Sequence, residues 1–195
     1  FGLGTLGDLD GDGVNDFVAG SPGAARADVY SGATGELLLG PLEPTEPAGF
    51  FGQFFAGRAG DTNADGTPDV YVGDFGGGAG GHFYVYSGVD GALLFDASAA
   101  EPGVGPGLGC GRGAGDVDDD GHEDIISGSY LGNQATVYSG RTGEIIRSIT
   151  YTRPVSQFGY DAVGIGDVTG DGRIDFLFGA ALGNLALIIS GAVCP

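Results

Sequence analysis

One acidic motif recurs four times along the chain at a spacing of roughly fifty residues, and that recurrence limits the fold more than any other property of the sequence. The copies are GDLDGDGVNDFVAG from Gly7, GDTNADGTPDVYVG from Gly60, GDVDDDGHEDIISG from Gly115 and GDVTGDGRIDFLFG from Gly166. A second landmark follows each of them: Val-Tyr-Ser-Gly ending at Gly32, Gly88 and Gly140, and Ile-Ile-Ser-Gly ending at Gly191. A third, Phe-Gly, precedes them at Phe1-Gly2, Phe51-Gly52 and Phe158-Gly159, with Pro106-Gly107 standing in for it in the third unit. The second unit is longer by a few residues, which fall in the Gly-rich stretch 76–81, where a surface loop absorbs them.

Between clusters of Gly, Asp and Asn the apolar residues come as short runs rich in Val, Ile, Phe and Tyr. No longer segment keeps a helical period, so the chain reads as all-β. Each unit then holds four strands. The first runs from Phe-Gly to the acidic loop, and the second is the run after it, such as Phe17-Val18-Ala19 or Asp124-Ile125-Ile126. The third ends in Tyr-Ser-Gly. The fourth follows the turns Ala33-Thr34-Gly35, Val89-Asp90-Gly91 and Arg141-Thr142-Gly143, and continues as Glu36-Leu37-Leu38 or Glu144-Ile145-Ile146.

Four antiparallel strands at this period describe a β-propeller blade. The expectation is a single repeat domain over 1–195, a propeller-like array of four four-stranded blades (units 1–49, 50–103, 104–156 and 157–195), the last incomplete because it stops before its fourth strand. The first strands are poor in bulk around Gly4, Ala56, Gly109 and Ala162, as backbones converging on a central axis require. Closure at four blades lies within the range of propellers and is preferred here to an open array completed by neighbours.

The chain has 26 acidic and 7 basic residues, every basic one Arg, for a net charge of -19, and more than half of the acidic residues sit in the four loops. Within each loop oxygen-bearing side chains fall at alternate positions: Asp8, Asp10, Asp12 and Asp16; Asp61, Asn63, Asp65 and Asp69; Asp116, Asp118, Asp120 and Asp124; Asp167, Thr169, Asp171 and Asp175. Hard oxygen ligands at positions one, three and five, with a backbone carbonyl at seven, are how calcium is held in an EF-hand loop. Here those carbonyls belong to Val14, Thr67, His122 and Arg173. The ninth-position Asp, the absence of a Glu at twelve and the β run that follows disfavour an EF-hand or dockerin helical pair. The long period disfavours tandem nine-residue calcium repeats. Calcium is therefore expected in up to four sites, one per blade. Thr169 makes the fourth the weakest, whereas Asn63 costs the second only charge.

The pattern D-x-D-x-D-G-x-x-D, preceded by Phe-Gly and followed by a strand ending as in Phe17-Val18-Ala19-Gly20-Ser21-Pro22, resembles the FG-GAP repeat of integrin α-subunit propellers and their bacterial relatives. The resemblance covers nearly the whole chain. It implies calcium in the hairpin between strands one and two of each blade, in an extracellular or cell-surface protein with adhesive or scaffolding roles. Integrin-type propellers have seven blades, and this chain has four.

A charge of -19 repels nucleic acid and anionic membranes alike. The most apolar stretch, 176–189, is broken by Gly179, Gly183 and Asn184 and is not expected to insert in a membrane. The chain begins at Phe1 and contains no Met, as expected of a processed or excised segment whose export signal is gone. Cys110 and Cys194 are the only thiols, and one bridge or two unpaired cysteines both fit.

The functional expectation is a calcium-stabilised structural or interaction module, an adhesin or assembly subunit, whose protein or glycan partner the sequence does not name. An unfilled strand position or an unclosed ring invites a homo-oligomer or filament. The alternative is a lectin-like propeller using Tyr84, Tyr86, Tyr130 or Tyr160 as sugar platforms. Catalysis is not expected. Only His82 and His122 offer imidazole bases, His122 lies in a cation loop, and no nucleophile elbow or HExxH occurs.

Overall fold

Each repeat folds into its own antiparallel sheet, with strand order following chain order. The computed structural model describes residues 1–153 and 157–192. The first sheet comprises β1 (Leu3–Gly7), β2 (Asp16–Ser21), β3 (Arg26–Tyr30) and β4 (Leu37–Leu42). The second comprises β5 (Ala56–Gly60), β6 (Asp69–Asp74), β7 (His82–Tyr86) and β8 (Leu93–Ser98). The third holds β9 (Leu108–Gly115), β10 (Asp124–Ser129), β11 (Gln134–Tyr138) and β12 (Ile145–Thr150). The fourth has three strands among the described residues, β13 (Phe158–Gly164), β14 (Phe176–Ala180) and β15 (Leu185–Ile189). The acidic loops are the hairpins between first and second strands. The stretch 76–81 lies between β6 and β7.

The sheets stack face to face, because strands with apolar side chains on both faces must be covered on both. Val18, Val29 and Leu6 meet Phe51, Val70 and Tyr84 between the first and second sheets. Tyr71, Phe83 and Val85 meet Leu108, Ile125 and Tyr138 between the second and third. Ile126, Val137 and Ile149 meet Phe158, Phe176 and Phe178 between the third and fourth. β1 packs on β5, β5 on β9 and β9 on β13, so the inner strands line one side of a central cleft.

Among the described residues four sheets share three cores, and a closed ring of four would need a fourth core. Leu3 and Phe17 on the outer face of the first sheet, and Ile188 on that of the last, are instead exposed. The expected closure at four blades is thus corrected to an open arc.

The third unit carries a second correction. Phe51 and Phe158 are fully buried, and the carbonyl oxygens of Gly52 and Gly159 lie 1.9 and 1.8 Å from where a Cβ on Gly20 or Gly128 of the preceding blade would stand. In the third unit that place is taken by Leu108-Gly109, not Pro106-Gly107. Leu108 is fully buried and the Gly109 oxygen lies 1.9 Å from a Cβ on Gly73. Leu108 pairs with Ser129 as Phe158 pairs with Ala180, so the registers agree. An apolar side chain before the Gly is what the interface needs, and Pro106 lies outside the strand.

Candidate metal centres

The acidic loops are bent by their own carboxylates. Asp8 Oδ1 accepts the Gly11 and Asp12 N–H groups and its Oδ2 that of Gly13. Asp61 takes the N–H groups of Asp65 and Gly66, Asp116 those of Asp120 and Gly121, and Asp167 those of Gly170, Asp171 and Gly172. At position three, Asp10 and Asn63 accept the N–H groups of Asp12 and Asp65. At position five, Asp12, Asp65, Asp120 and Asp171 accept those of Val14, Thr67, His122 and Arg173, the residues expected to offer carbonyls. Short side chains that accept from the backbone two residues on are what turn such loops.

Position four takes a left-handed backbone throughout, at Gly11, Ala64, Asp119 and Gly170, with φ of 79°, 57°, 61° and 79°. A Cβ is penalised there. Replacing the exposed Ala64 by Gly is expected to raise stability by about 0.5–1 kcal/mol, read from the urea midpoint.

The ninth-position aspartates do something that reading the loops alone missed. Asp16 is buried. Its Oδ2 accepts the Leu9 N–H at 2.7 Å and its Oδ1 accepts the N–H of Gly32, the last residue of the Tyr-Ser-Gly landmark, at 3.0 Å. Asp69, Asp124 and Asp175 reach Gly88, Gly140 and Gly191 in the same way at 3.1, 2.9 and 3.0 Å. Each of these landmark glycines has a backbone carbonyl 2.0 Å from where a Cβ would stand, which is why no other residue fits. The near-constant distance between the two landmarks was the available signal.

Burial pushes the Asp124 carboxyl up to about 6, against the lowering effect of the Gly140 and Val117 N–H groups. Burial likewise raises Asp69, opposed by the Thr62 hydroxyl. At Asp175 burial pulls the same way but is outweighed by the N–H groups of Gly191, Thr169 and Val168, and the carboxyl ends below its ordinary value.

Carboxylates gather closely in two loops. Asp8, Asp10 and Asp16 each bring an oxygen within 4.8 Å of the others, and so do Asp116, Asp118 and Asp120. Asp10 is held above its ordinary value by lost hydration and by the like charges of Asp12, Asp16 and Asp8. Three hard anionic oxygens in one turn, with no cationic side chain among them, form a donor set that fits a divalent cation such as calcium. In the second and fourth loops Asn63 and Thr169 occupy position three, and no three carboxylates gather in this way among the described residues. There the Thr169 hydroxyl donates to Asp175 at 3.3 Å and the Ser190 hydroxyl to Asp171 at 2.6 Å. The Ser190 hydroxyl lowers the Asp171 carboxyl.

Neighbouring loops also touch. The Glu123 N–H donates to the Asp61 carbonyl, His122 Nδ1–H donates to the Thr62 carbonyl at 2.7 Å, and Arg173 pairs with Asp119 at 2.9 Å. His122 is therefore committed to its neighbour. His82 is buried, with Nε2 on Asp96 at 2.5 Å. Of the four tyrosines expected as sugar platforms, Tyr84 and Tyr86 are buried in the first core, while Tyr160 stands at the surface with Tyr130 edge-on to it. The central cleft, about 740 Å³, is lined by inner-strand glycines, with Arg58 paired to Glu123 and Arg112 to Asp161. Cys110 is buried, and Cys194 lies outside the described residues. Among the described residues no helix is long and apolar enough to cross a membrane.

A family model described as an FG-GAP-like repeat matches residues 8–72 and 116–178, about two thirds of the chain. No curated protein sequence matches it. Among solved structures, BBS1N in complex with ARL6DN is similar at 15% identity and a TM-score of 0.54, over 96% of this chain and 56% of that one. The exotype rhamnogalacturonan lyase YesX is similar at 17% identity and a TM-score of 0.54, over 97% of this chain and 41% of that one. The chain thus spans about half the length of these structures, and at such identities the likeness is one of fold alone.

Proposed function

The chain belongs to the FG-GAP-like repeat family, and from that premise we propose that it is a calcium-stabilised, extracellular structural and interaction module of the adhesin or assembly-subunit kind, without catalysis. The observation that carries the reading is the gathering of Asp8, Asp10 and Asp16, and of Asp116, Asp118 and Asp120, in hairpins that join the inner two strands of their blades. Without a cation the like charges repel across a few ångströms, and with one they pin the hairpin. The same Asp16 that completes the first group also ties the loop to Gly32. A filled site consequently stiffens three strands of its blade. The buried position-nine carboxylates and the landmark glycines serve structure, which suits a scaffold better than a reaction centre.

Thermal unfolding in calcium and in excess chelator tests the reading. A site held at one hundred times its Kd adds about 2.7 kcal/mol, so calcium is expected to raise the melting temperature by several degrees. Asp116→Asn should shrink the rise, and identical curves in calcium and chelator would refute the proposal. A glycan partner is the second reading, favoured by exposed Tyr160 beside Tyr130. Binding on a glycan array that is lost in Tyr160→Ala would support it.

A further inference from the structure

The second and third acidic loops are joined by hydrogen bonds to main-chain carbonyls, and among the described residues no other pair of neighbouring loops is. The Glu123 N–H donates to the Asp61 carbonyl at 3.0 Å, and the His122 ring donates to the Thr62 carbonyl at 2.7 Å. The donors are the seventh and eighth residues of the third loop, and the acceptors are the first and second of the loop before it. The Glu123 carboxylate also accepts from Arg58 on β5, shortly ahead of Asp61 in the chain, at 3.3 Å.

The seat is shared with the other junctions, but the bonds are not. A Cβ on Gly7, Gly60 or Gly115, each just ahead of a leading Asp, would stand 3.3, 2.0 and 2.9 Å from the side chains of Pro68, Glu123 and Ile174, the eighth residues of the following loops. Pro68 has no N–H to give, and Ile174 has no polar side chain. The third and fourth loops are bridged by Arg173 with Asp119, an exposed ion pair that contributes little in water. Both ends of the bonded junction are themselves held. Thr62 is fully buried, with its N–H and hydroxyl on Asp69 at 2.9 and 2.6 Å. The His122 N–H is on Asp120 at 3.0 Å, and the buried Asp124 carboxylate accepts from Val117 and Gly140. The stretch whose His122 carbonyl is expected in the third ligand set is thus the stretch that braces Asp61, which leads the second.

Resting on the reading of these loops as calcium sites, we propose that the second and third form one coupled unit, in which calcium held by the third loop raises the affinity of the second. The third loop gathers three carboxylates and fills first. The second has Asn63 at position three and no such gathering among the described residues, so its affinity depends on how far its leading residues are already fixed. Order imposed by the first cation is order that the next one no longer has to impose. His122 is a positioning residue here, acting through the Thr62 carbonyl.

Calcium addition to the full chain, followed by amide NMR, tests the coupling loop by loop. Gly13, Gly66 and Gly121 each donate an N–H to the leading Asp of their own loop and so report on it separately. Ionic strength of about 0.15 M screens exposed charges beyond roughly 8 Å. In the native chain Gly121 should respond at lower calcium than Gly66. Asp118→Ala removes one gathered carboxylate and leaves the turn-forming bonds of Asp116 and Asp120 in place, and it should move the Gly66 midpoint to about 5–150-fold higher calcium. Asp10→Ala, the matching change in the first loop, should leave that midpoint where it was. His122→Ala keeps the carbonyl at position seven but loses the ring, so Gly66 should move up several-fold and Gly121 less. His122→Asn, whose amide nitrogen can stand in for Nδ1, should bring Gly66 back. A Gly66 midpoint indifferent to Asp118→Ala or to His122→Ala, one that moves as far with Asp10→Ala, or a second loop that never responds would each overturn the coupling. Failure of the calcium reading itself looks different, because then none of the three glycines would respond.

Discussion

Gly128→Ala is expected to unseat the fourth blade from the third and to cost more than the roughly 1–3 kcal/mol usual for an overpacked core. Gly128 lies in β10 with an ordinary extended backbone, where by local preference any side chain would do. Space is what forbids one. The new Cβ would stand 1.8 Å from the Gly159 carbonyl oxygen and 2.7 Å from its carbon, both backbone atoms that no rotamer change can move. Relief requires the two sheets to part, which opens the core that Ile126, Val137, Phe158 and Phe178 share. Gly179→Ala is the internal control. At the equivalent place in the last blade its Cβ meets nothing closer than 3.7 Å, and urea denaturation of the monomer should change by less than about 0.5 kcal/mol.

Phe51→Ala should cost about 3–5 kcal/mol, the loss typical of a large aromatic side chain removed from a packed interior. Its ring is fully buried, edge-on to Tyr84 at 5.4 Å and to Tyr86 at 6.5 Å. The first and second blades pack around it on both sides, so neither can collapse into the hole alone. Phe1→Ala removes the same residue from the same motif where it is exposed, and should change monomer stability by less than about 0.5 kcal/mol. If the two substitutions had equal effects in chemical denaturation, the motif would act locally and not as a link between blades.

The blades and their acidic hairpins were legible in the sequence because both depend on local order. Alternating apolar runs make strands, and an Asp whose carboxylate accepts from the backbone a few residues on makes a turn, as Asp8 does with Gly11 and Gly13. What depends on other parts of the chain was less legible. Pro106-Gly107 copies the dipeptide, but the interface selects an apolar knob with the right pairing partner, and Leu108 supplies it opposite Ser129. Asp16 binds a glycine sixteen residues away, a partnership visible in the sequence only as two landmarks keeping their distance. Ring closure was furthest from view, since the angle between sheets is set by side chains of two blades at once.

An arc sharing three cores among four sheets differs from a ring in how it can change. A ring has a fixed circumference, and adding or deleting a unit forces every junction to reset its angle. Here each unit brings both sides of a junction, so gene duplication could lengthen the array by one unit while leaving the existing junctions untouched. Descent by tandem copying then leaves a record in the sequence: the same register position stays apolar and buried at every junction, as it is at Val18, Tyr71 and Ile126.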